Sequence, residues 1–247
     1  MSLASTQVHG QYMLRDYFNP PDGLHKLKGS VKEIVQNDSK GLYGGSTIYS
    51  FDDDGKFQSA KSFSSKGNER ALSAISMYYD KEGRPAIKVL GKDSIYYTYE
   101  NDLIATIRYA RVSYSFKYDA KNDLQSLKVL DLEGKETSSM HWYRNEKGNV
   151  IGKTVYNGGY RTDSLFFKLD PSGNRIKSIG ENKTSLQTFD SHDNVILKVD
   201  EETDGNVTRK TSYTYFYDEQ GNWVEKKVYN GKNLIRQTKR VITYLND

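Results

Sequence analysis

Between residues 46 and 244 apolar and polar positions alternate with a period of two, in runs broken by turns rich in Asp, Asn and Gly. Tyr213, Tyr215 and Tyr217 sit two apart, so they project from one face of an extended chain. The same holds for Ile75, Met77 and Tyr79; for Ile95, Tyr97 and Tyr99; for Tyr114, Phe116 and Tyr118; and for Leu165, Phe167 and Leu169. Between these anchors lie Ser76, Thr98, Ser115, Lys117 and Lys168, which predicts that the second face meets water. No stretch carries sustained helical periodicity.

Most runs end in an aromatic or aliphatic residue, then an acid, then Gly or Asn. Phe51-Asp52-Asp53-Asp54-Gly55, Tyr79-Asp80-Lys81-Glu82-Gly83, Tyr118-Asp119-Ala120-Lys121-Asn122, Leu169-Asp170-Pro171-Ser172-Gly173-Asn174, Phe189-Asp190-Ser191-His192-Asp193-Asn194 and Tyr217-Asp218-Glu219-Gln220-Gly221-Asn222 share this form. Tyr143-Arg144-Asn145-Glu146-Lys147-Gly148-Asn149 is read as a further copy, anchored on Tyr143, and Tyr99-Glu100-Asn101-Asp102 as a shortened one. An Asp carboxylate can bond its own backbone across a turn, and Gly and Asn accept positive φ. A second class of turn appears at Gly91-Lys92-Asp93, Asn157-Gly158-Gly159 and Asn230-Gly231, the last being the strongest short hairpin signal. Two turns per unit give two strands per unit, and the turn spacing predicts roughly 16 to 20 strands. The expected fold is all-β: an antiparallel meander of repeated β-hairpins in a twisted, curled sheet, either an open barrel or an elongated folded sheet. Residues 1–23 are expected to form an N-terminal arm, with a segment over Val8–Phe18 ended by the turn Pro20-Pro21-Asp22-Gly23. Residues 24–247 are expected to form a single β domain.

The stretch Tyr217-Asp218-Glu219-Gln220-Gly221-Asn222-Trp223 resembles the YD repeats of RHS-type proteins: an aromatic-Asp pair, two variable residues, Gly-Asn and an apolar residue. Tyr79 to Arg84 and Leu169 to Asn174 each depart from that pattern at one position. The stretch Leu27-Lys28-Gly29-Ser30-Val31-Lys32-Glu33-Ile34 resembles the opening of short YD-repeat-like envelope proteins of Bacteroidetes. The resemblance spans about residues 24–244. It implies hairpins strung into a long curling sheet, and an envelope location. Large RHS proteins wind such a sheet into a shell around a toxin, and this chain is too short for that shell. The resemblance brings no catalytic residues with it.

Composition adjusts this picture in a few places. Hydrophobic residues make up only 36%, and 20 Tyr against 9 Phe and 2 Trp supply much of the apolar surface. Tyr can bury a ring while its hydroxyl stays wet, which suits a thin sheet. The net charge of +4, from 36 Lys+Arg and 32 Asp+Glu, is evenly spread, which argues against a nucleic-acid partner. With no cysteine, disulfide and thiol chemistry are excluded. No window is long and apolar enough for a transmembrane helix. A transmembrane β-barrel is disfavoured because Lys117, Lys153, Lys168 and Lys226 interrupt any apolar stripe. Met1-Ser2-Leu3 reads as an introduced leader, so a native signal peptide is expected to have been removed, and the location to be periplasmic, outer-membrane-anchored or secreted.

Candidate chemistry is sparse. His9, His25, His141 and His192 show no metal-binding spacing, and there is no nucleophile elbow, Walker loop or dinucleotide fingerprint. No catalytic, cofactor or metal residues are therefore expected. Ser50 to Gly55 mimics the start of a calcium loop, but Lys61 stands where the loop needs a bidentate Glu, so its acids read as turn braces. The one surplus is aromatic. Tyr78, Tyr96, Phe166 and Phe216 fall on the face opposite the anchors, and Trp142 and Trp223 join them as candidate ligand-binding residues. Exposed, they would offer a platform to sugar rings or to another protein; a sheet curled over both faces would cover them. The expected function is a non-enzymatic, extracytoplasmic structural or binding module of a bacterial cell envelope. The expected partner is a carbohydrate or another envelope protein. The alternative is a carbohydrate-binding surface protein that uses the aromatics, and a third reading is a glycoside hydrolase.

Overall fold

A computed structural model describes residue 24 and residues 27–40, 45–64 and 73–245. The expected arm over residues 1–23, with its Val8–Phe18 segment and Pro20–Gly23 turn, lies outside the described residues, as do His9 and His25. Among the described residues eighteen strands occur in chain order. The first nine are β1 (Val31–Lys40), β2 (Gly45–Phe51), β3 (Phe57–Ser64), β4 (Ser73–Tyr79), β5 (Pro85–Leu90), β6 (Asp93–Glu100), β7 (Leu103–Tyr109), β8 (Val112–Tyr118) and β9 (Leu124–Leu130). The rest are β10 (Glu136–Arg144), β11 (Val150–Asn157), β12 (Tyr160–Leu169), β13 (Arg175–Ile179), β14 (Lys183–Phe189), β15 (Val195–Glu202), β16 (Val207–Tyr217), β17 (Trp223–Asn230) and β18 (Asn233–Tyr244). The all-β antiparallel meander predicted by the alternation is what forms, with no α-helix among the described residues. Hydrogen-bonded order follows the sequence from β2 to β18. Strand β1 pairs with both β2 and β18, so the meander closes in the manner of a β-barrel.

The chain divides into two compact units. One, the seam unit, takes in the described residues of 20–94, 188–199 and 209–247. In it β1 lies between β2 and β18, and Ile34 faces Ile242 on one side and Tyr49 on the other. The row continues through Tyr49 to Ala60 and through Ala60 to Ile75. This is the anchor face. Its core is Leu24, Val31, Ile34, Tyr49, Phe51, Phe57 and Ala60, with Leu27, Ile75, Met77, Ile242 and Tyr244 packed against it. Each fully buried aliphatic side chain contributes about 1.5–3 kcal/mol.

The other, the middle unit, takes in residues 95–187 and 200–208 of the described chain. Its anchor face buries Ile95, Ile107, Phe116, Leu127 and Met140, with Leu124 and Val150 just past the turns.

The turns explain the alternation and its breaks. At Asp218 the backbone N–H donates to Asn222 O at 2.9 Å, and Gly221 N–H donates to Asp218 O at 3.0 Å. The Asp218 carboxylate accepts the Asn222 N–H at 2.8 Å, and Gly221 takes φ 78. Asp52, Asp80, Asp119, Asp131, Asp170 and Asp190 hold their turns in the same way. These acids are therefore braces, and the Ser50–Gly55 stretch is one of these turns. Beyond such a loop one extra residue enters the following strand. Tyr217 pairs with Trp223 and Phe216 with Glu225, which leaves Val224 as a bulge. Matching register shifts follow Phe51, Tyr79, Tyr118 and Leu169.

The turn over Asn145–Gly148 corrects one expected anchor. Asn145 is the brace and Arg144 pairs with Val150, so Tyr143 stands one place earlier, on the opposite face. Arg144 fills the anchor place with a cation: it donates to Gly148 O at 2.7 Å and lies 3.5 Å from the near-buried Asp123 carboxylate.

Tyrosine hydroxyls tie one braced turn to the next. In the seam unit Tyr217 donates to Asp190 Oδ2 at 2.5 Å and accepts from Asn194 Nδ2 at 2.8 Å. Tyr244 repeats this on the next turn, donating to Asp218 Oδ2 at 2.6 Å and accepting from Asn222 Nδ2 at 2.7 Å. Asn222 also accepts from Lys28 N at 2.7 Å and donates to Lys28 O at 2.8 Å, so the entry segment is fastened to the last braced turn.

Candidate functional site

The face opposite the core is where ligand-facing side chains can stand, and it differs between strands. On β9 to β12 of the middle unit, Ser126, His141, Thr154 and Ser164 form one cross-strand row. Ser126, Thr154 and Ser164 are buried although they lie on this face. Their hydroxyls link up: Tyr143 Oη and Thr154 Oγ1 are 3.1 Å apart, and Thr154 Oγ1 and Ser164 Oγ are 3.2 Å apart.

The next row holds Tyr143, Gly152 and Phe166. A Cβ on residue 152 would lie 3.0 Å from Phe166 Cδ1, so the Phe166 ring lies across the bare glycine backbone. Phe166 remains 53% exposed and Tyr143 42% exposed. Both rings are held down from below and open above. Tyr143 is held by its bond to Thr154, and Phe166 by the space at Gly152.

On the third row Lys128 and Ser139 face each other. Glu136 lies 2.8 Å from Lys128 Nζ, and the hydrogen bonds from Lys128 and Ser139 hold its carboxyl below the usual carboxylate range. His141 meets the Tyr156 ring edge-on at 5.5 Å.

The aromatic residues singled out by the alternation separate into two groups. Tyr78, Tyr96, Phe166 and Phe216 are exposed. They do not form one platform. Within the seam unit, Tyr78 on β4 and Phe216 on β16 are six strands apart in the hydrogen-bonded order, about 29 Å at the usual strand spacing. Within the middle unit, Tyr96 on β6 is four strands from Tyr143 on β10, about 19 Å. Lys227 lies over the Phe216 ring at 5.0 Å.

Trp142 and Trp223 lie on the anchor face. Trp142 shares its parity with buried Met140 and is half-buried. Trp223 is 9% exposed beneath Arg240, whose guanidinium sits 3.4 Å from the ring centroid, with Tyr215 edge-on at 6.3 Å. The Val224 bulge is the physical reason, since it breaks the alternation that would place Trp223 beside Phe216. The small-residue row and Tyr143 were missed by motif searching. Ser126, Thr154 and Ser164 stand on separate strands, and they become legible as a row only once the register is known.

The other chemistry is structural. His192 stacks on Tyr217 at 4.0 Å beside the Asp190 turn. Burial by itself raises the Asp190 pKa; hydrogen bonds from Tyr217 and from the Asn194 and His192 amides outweigh it, so the carboxyl is held low. Among the described residues no group of three His, Asp or Glu side chains converges as a metal site. Among them, too, no helix is long and apolar enough to cross a membrane, which leaves strand-built spans open.

No family model matches the chain, and no curated protein matches it. Among solved structures it is similar to a porin-like protein from Bacteroides uniformis, at 11% identity and TM-score 0.50, over 88% of this chain and 99% of that one. It is also similar to a porin-like protein from Bacteroides vulgatus, at 12% identity and TM-score 0.30, over 87% and 98%. A third likeness is to the Photorhabdus luminescens Tc holotoxin pore, at 10% identity and TM-score 0.32, over 81% of this chain and 15% of that one. The first is a likeness of fold; the other two are too distant to equate folds.

Proposed function

We propose that the chain is a non-enzymatic β-barrel module of a bacterial cell envelope, working as a structural or binding part on the water side of the membrane. The observation that carries this is the charge on the face opposite the core. In the seam unit that face bears Lys61, Glu225, Lys227 and Lys239; in the middle unit it bears Arg108, Lys117, Lys128 and Lys168. A lipid-facing barrel needs an outward apolar band about 25 Å tall, and charges there are costly. The envelope assignment is supported by the fold shared with the Bacteroides uniformis porin-like protein. The YD-like turns and the Leu27–Ile34 opening point the same way, and we assign the repeat to the YD type on that ground.

The test is fractionation of the host expressing the native gene. The protein is expected in the periplasmic or envelope fraction and released by an alkaline carbonate wash. Recovery from the cytosol would defeat the assignment.

A second reading, saccharide binding, is favoured by the flat-lying Tyr143 and Phe166 rings on the outer face of the middle unit. A glycan array with wild type, Tyr96→Ala and Phe166→Ala tests it: binding lost in Phe166→Ala is expected, and no binding above background by wild type defeats it. The repeated acids Asp52, Asp80, Asp119 and Asp190 brace turns.

A further inference from the structure

We infer that the outer face of β10 to β13 in the middle unit binds a saccharide chain that carries carboxylates, stacked on Phe166 and Tyr143 with its charge between Lys168 and Lys177. This deepens the saccharide reading above and rests on it.

Three observations meet here. First, two rings lie flat on one sheet face. Phe166 drapes over Gly152, and the Tyr143 hydroxyl is pinned by Thr154, itself bonded to Ser164. Such rings present their π faces rather than their edges, and they are ordered before a ligand arrives. That lowers the entropic cost of binding.

Second, Lys168 follows Phe166 on the same face of β12 and pairs directly with Lys177 of β13. Like charges directly opposite across a sheet are unfavourable. Among the described residues neither lysine has an ion-pair partner. A carboxylate lying between them removes the repulsion.

Third, Ile179 faces Phe166 across the same pair of strands, which extends the apolar surface by one side chain. The sugar's C–H face suits the rings and Ile179, and its carboxylate suits the lysines. A single-stranded nucleic acid would also stack and pair with cations, but it needs a run of rings along a basic groove. The chain's charge is balanced, and only two of the rings on this face, Tyr143 and Phe166, are exposed, while His141 and Tyr156 meet edge-on.

Thr154 is a positioning residue. It touches no ligand, and it holds the Tyr143 ring through its hydroxyl.

The test is calorimetric titration of the full chain with a short oligogalacturonate. A maltooligosaccharide of equal length, free galacturonic acid and oligodeoxythymidylate serve as comparison probes. The oligogalacturonate is expected to bind about tenfold or more tightly than the neutral chain and than the free acid, and to weaken with salt. Phe166→Ala and the double variant Lys168→Ser/Lys177→Ser are each expected to weaken it about tenfold, with melting temperatures near wild type. The lysine variants touch no core residue, so they keep the test decisive should Phe166→Ala fold poorly. Thr154→Val is expected to weaken binding while leaving the salt dependence unchanged.

Equal affinity in the lysine double variant overturns the inference, as does tighter binding of the oligonucleotide. A neutral glycan bound while the acidic one is not also overturns it, but leaves the saccharide reading standing. No binding of any saccharide overturns both.

Discussion

At the residue scale the most informative side chain is Asn222. Its amide closes both backbone groups of Lys28 and the Tyr244 hydroxyl, and the residue is only 3% exposed. Asn222→Ala breaks these three part-buried hydrogen bonds, and urea unfolding is expected to show a loss of about 2–4 kcal/mol. Asn206, at the exposed turn after β15, is the control, and Asn206→Ala is expected to cost well under 1 kcal/mol by the same measurement. The brace role of Asp218 was legible in the sequence, because an Asp before a Gly-Asn turn bonds its own loop. The clasp on Lys28 was not, since those partners lie 194 residues apart. Trp223 was illegible for a different reason. A bulge of one residue reverses the face of what precedes it, and Val224 carries no mark that distinguishes it from a regular strand residue.

The elements follow from alternation and turn chemistry, and their faults lie at the turns. Between β7 and β8 the two-residue loop places Ala110 at φ 49, a left-handed conformation that costs a Cβ-bearing residue about 1 kcal/mol. Glycine has no such penalty but loses more freedom on folding. Ala110→Gly is expected to stabilise the protein by a few tenths to about 1 kcal/mol, read from the urea midpoint at unchanged m-value. The strand count was readable from the sequence, and the turns expected at Asn157-Gly158-Gly159 and Asn230-Gly231 form as the two-residue loops Gly158-Gly159 and, one place later, Gly231-Lys232. At Arg144 the anchor reading slipped by one place because Tyr143 offered a better aromatic than the residue that occupies the position. The candidate site shows the same limit. Phe166 was readable as outward-facing, whereas Tyr143, Gly152 and the hydroxyl row around them depend on register across three strands.

Taken whole, the molecule is bounded by pH on both sides. Asp80, Asp170 and Asp190 are held below the ordinary carboxylate value by hydrogen bonds that outweigh burial. A lowered folded pKa gives stability that is present above the unfolded value, near 4, and lost as pH falls through the folded one. Tyr217→Phe removes one of those bonds, so it should destabilise at neutral pH and show a shallower acid limb. On the alkaline side, burial pushes Tyr79, Tyr97 and Tyr118 up to about 12. A raised folded pKa gives stability present below the unfolded value, near 10, and lost as pH rises through about 12. The part of the tyrosinate absorbance that disappears in Tyr79→Phe, Tyr97→Phe or Tyr118→Phe is expected to rise together with loss of the β signal in circular dichroism, rather than before it.

The closure of the meander through β1 was not announced by any local pattern, because it joins the two ends of the described chain. Closure leaves the charged face outward and the anchor face within each unit's core, and on this the proposed role on the water side depends. The most direct measurement is flotation of the purified chain with liposomes on a density gradient. The account predicts that the protein stays at the bottom, folded and without detergent, with the same melting temperature as in buffer. Co-flotation with strands protected from protease would contradict it.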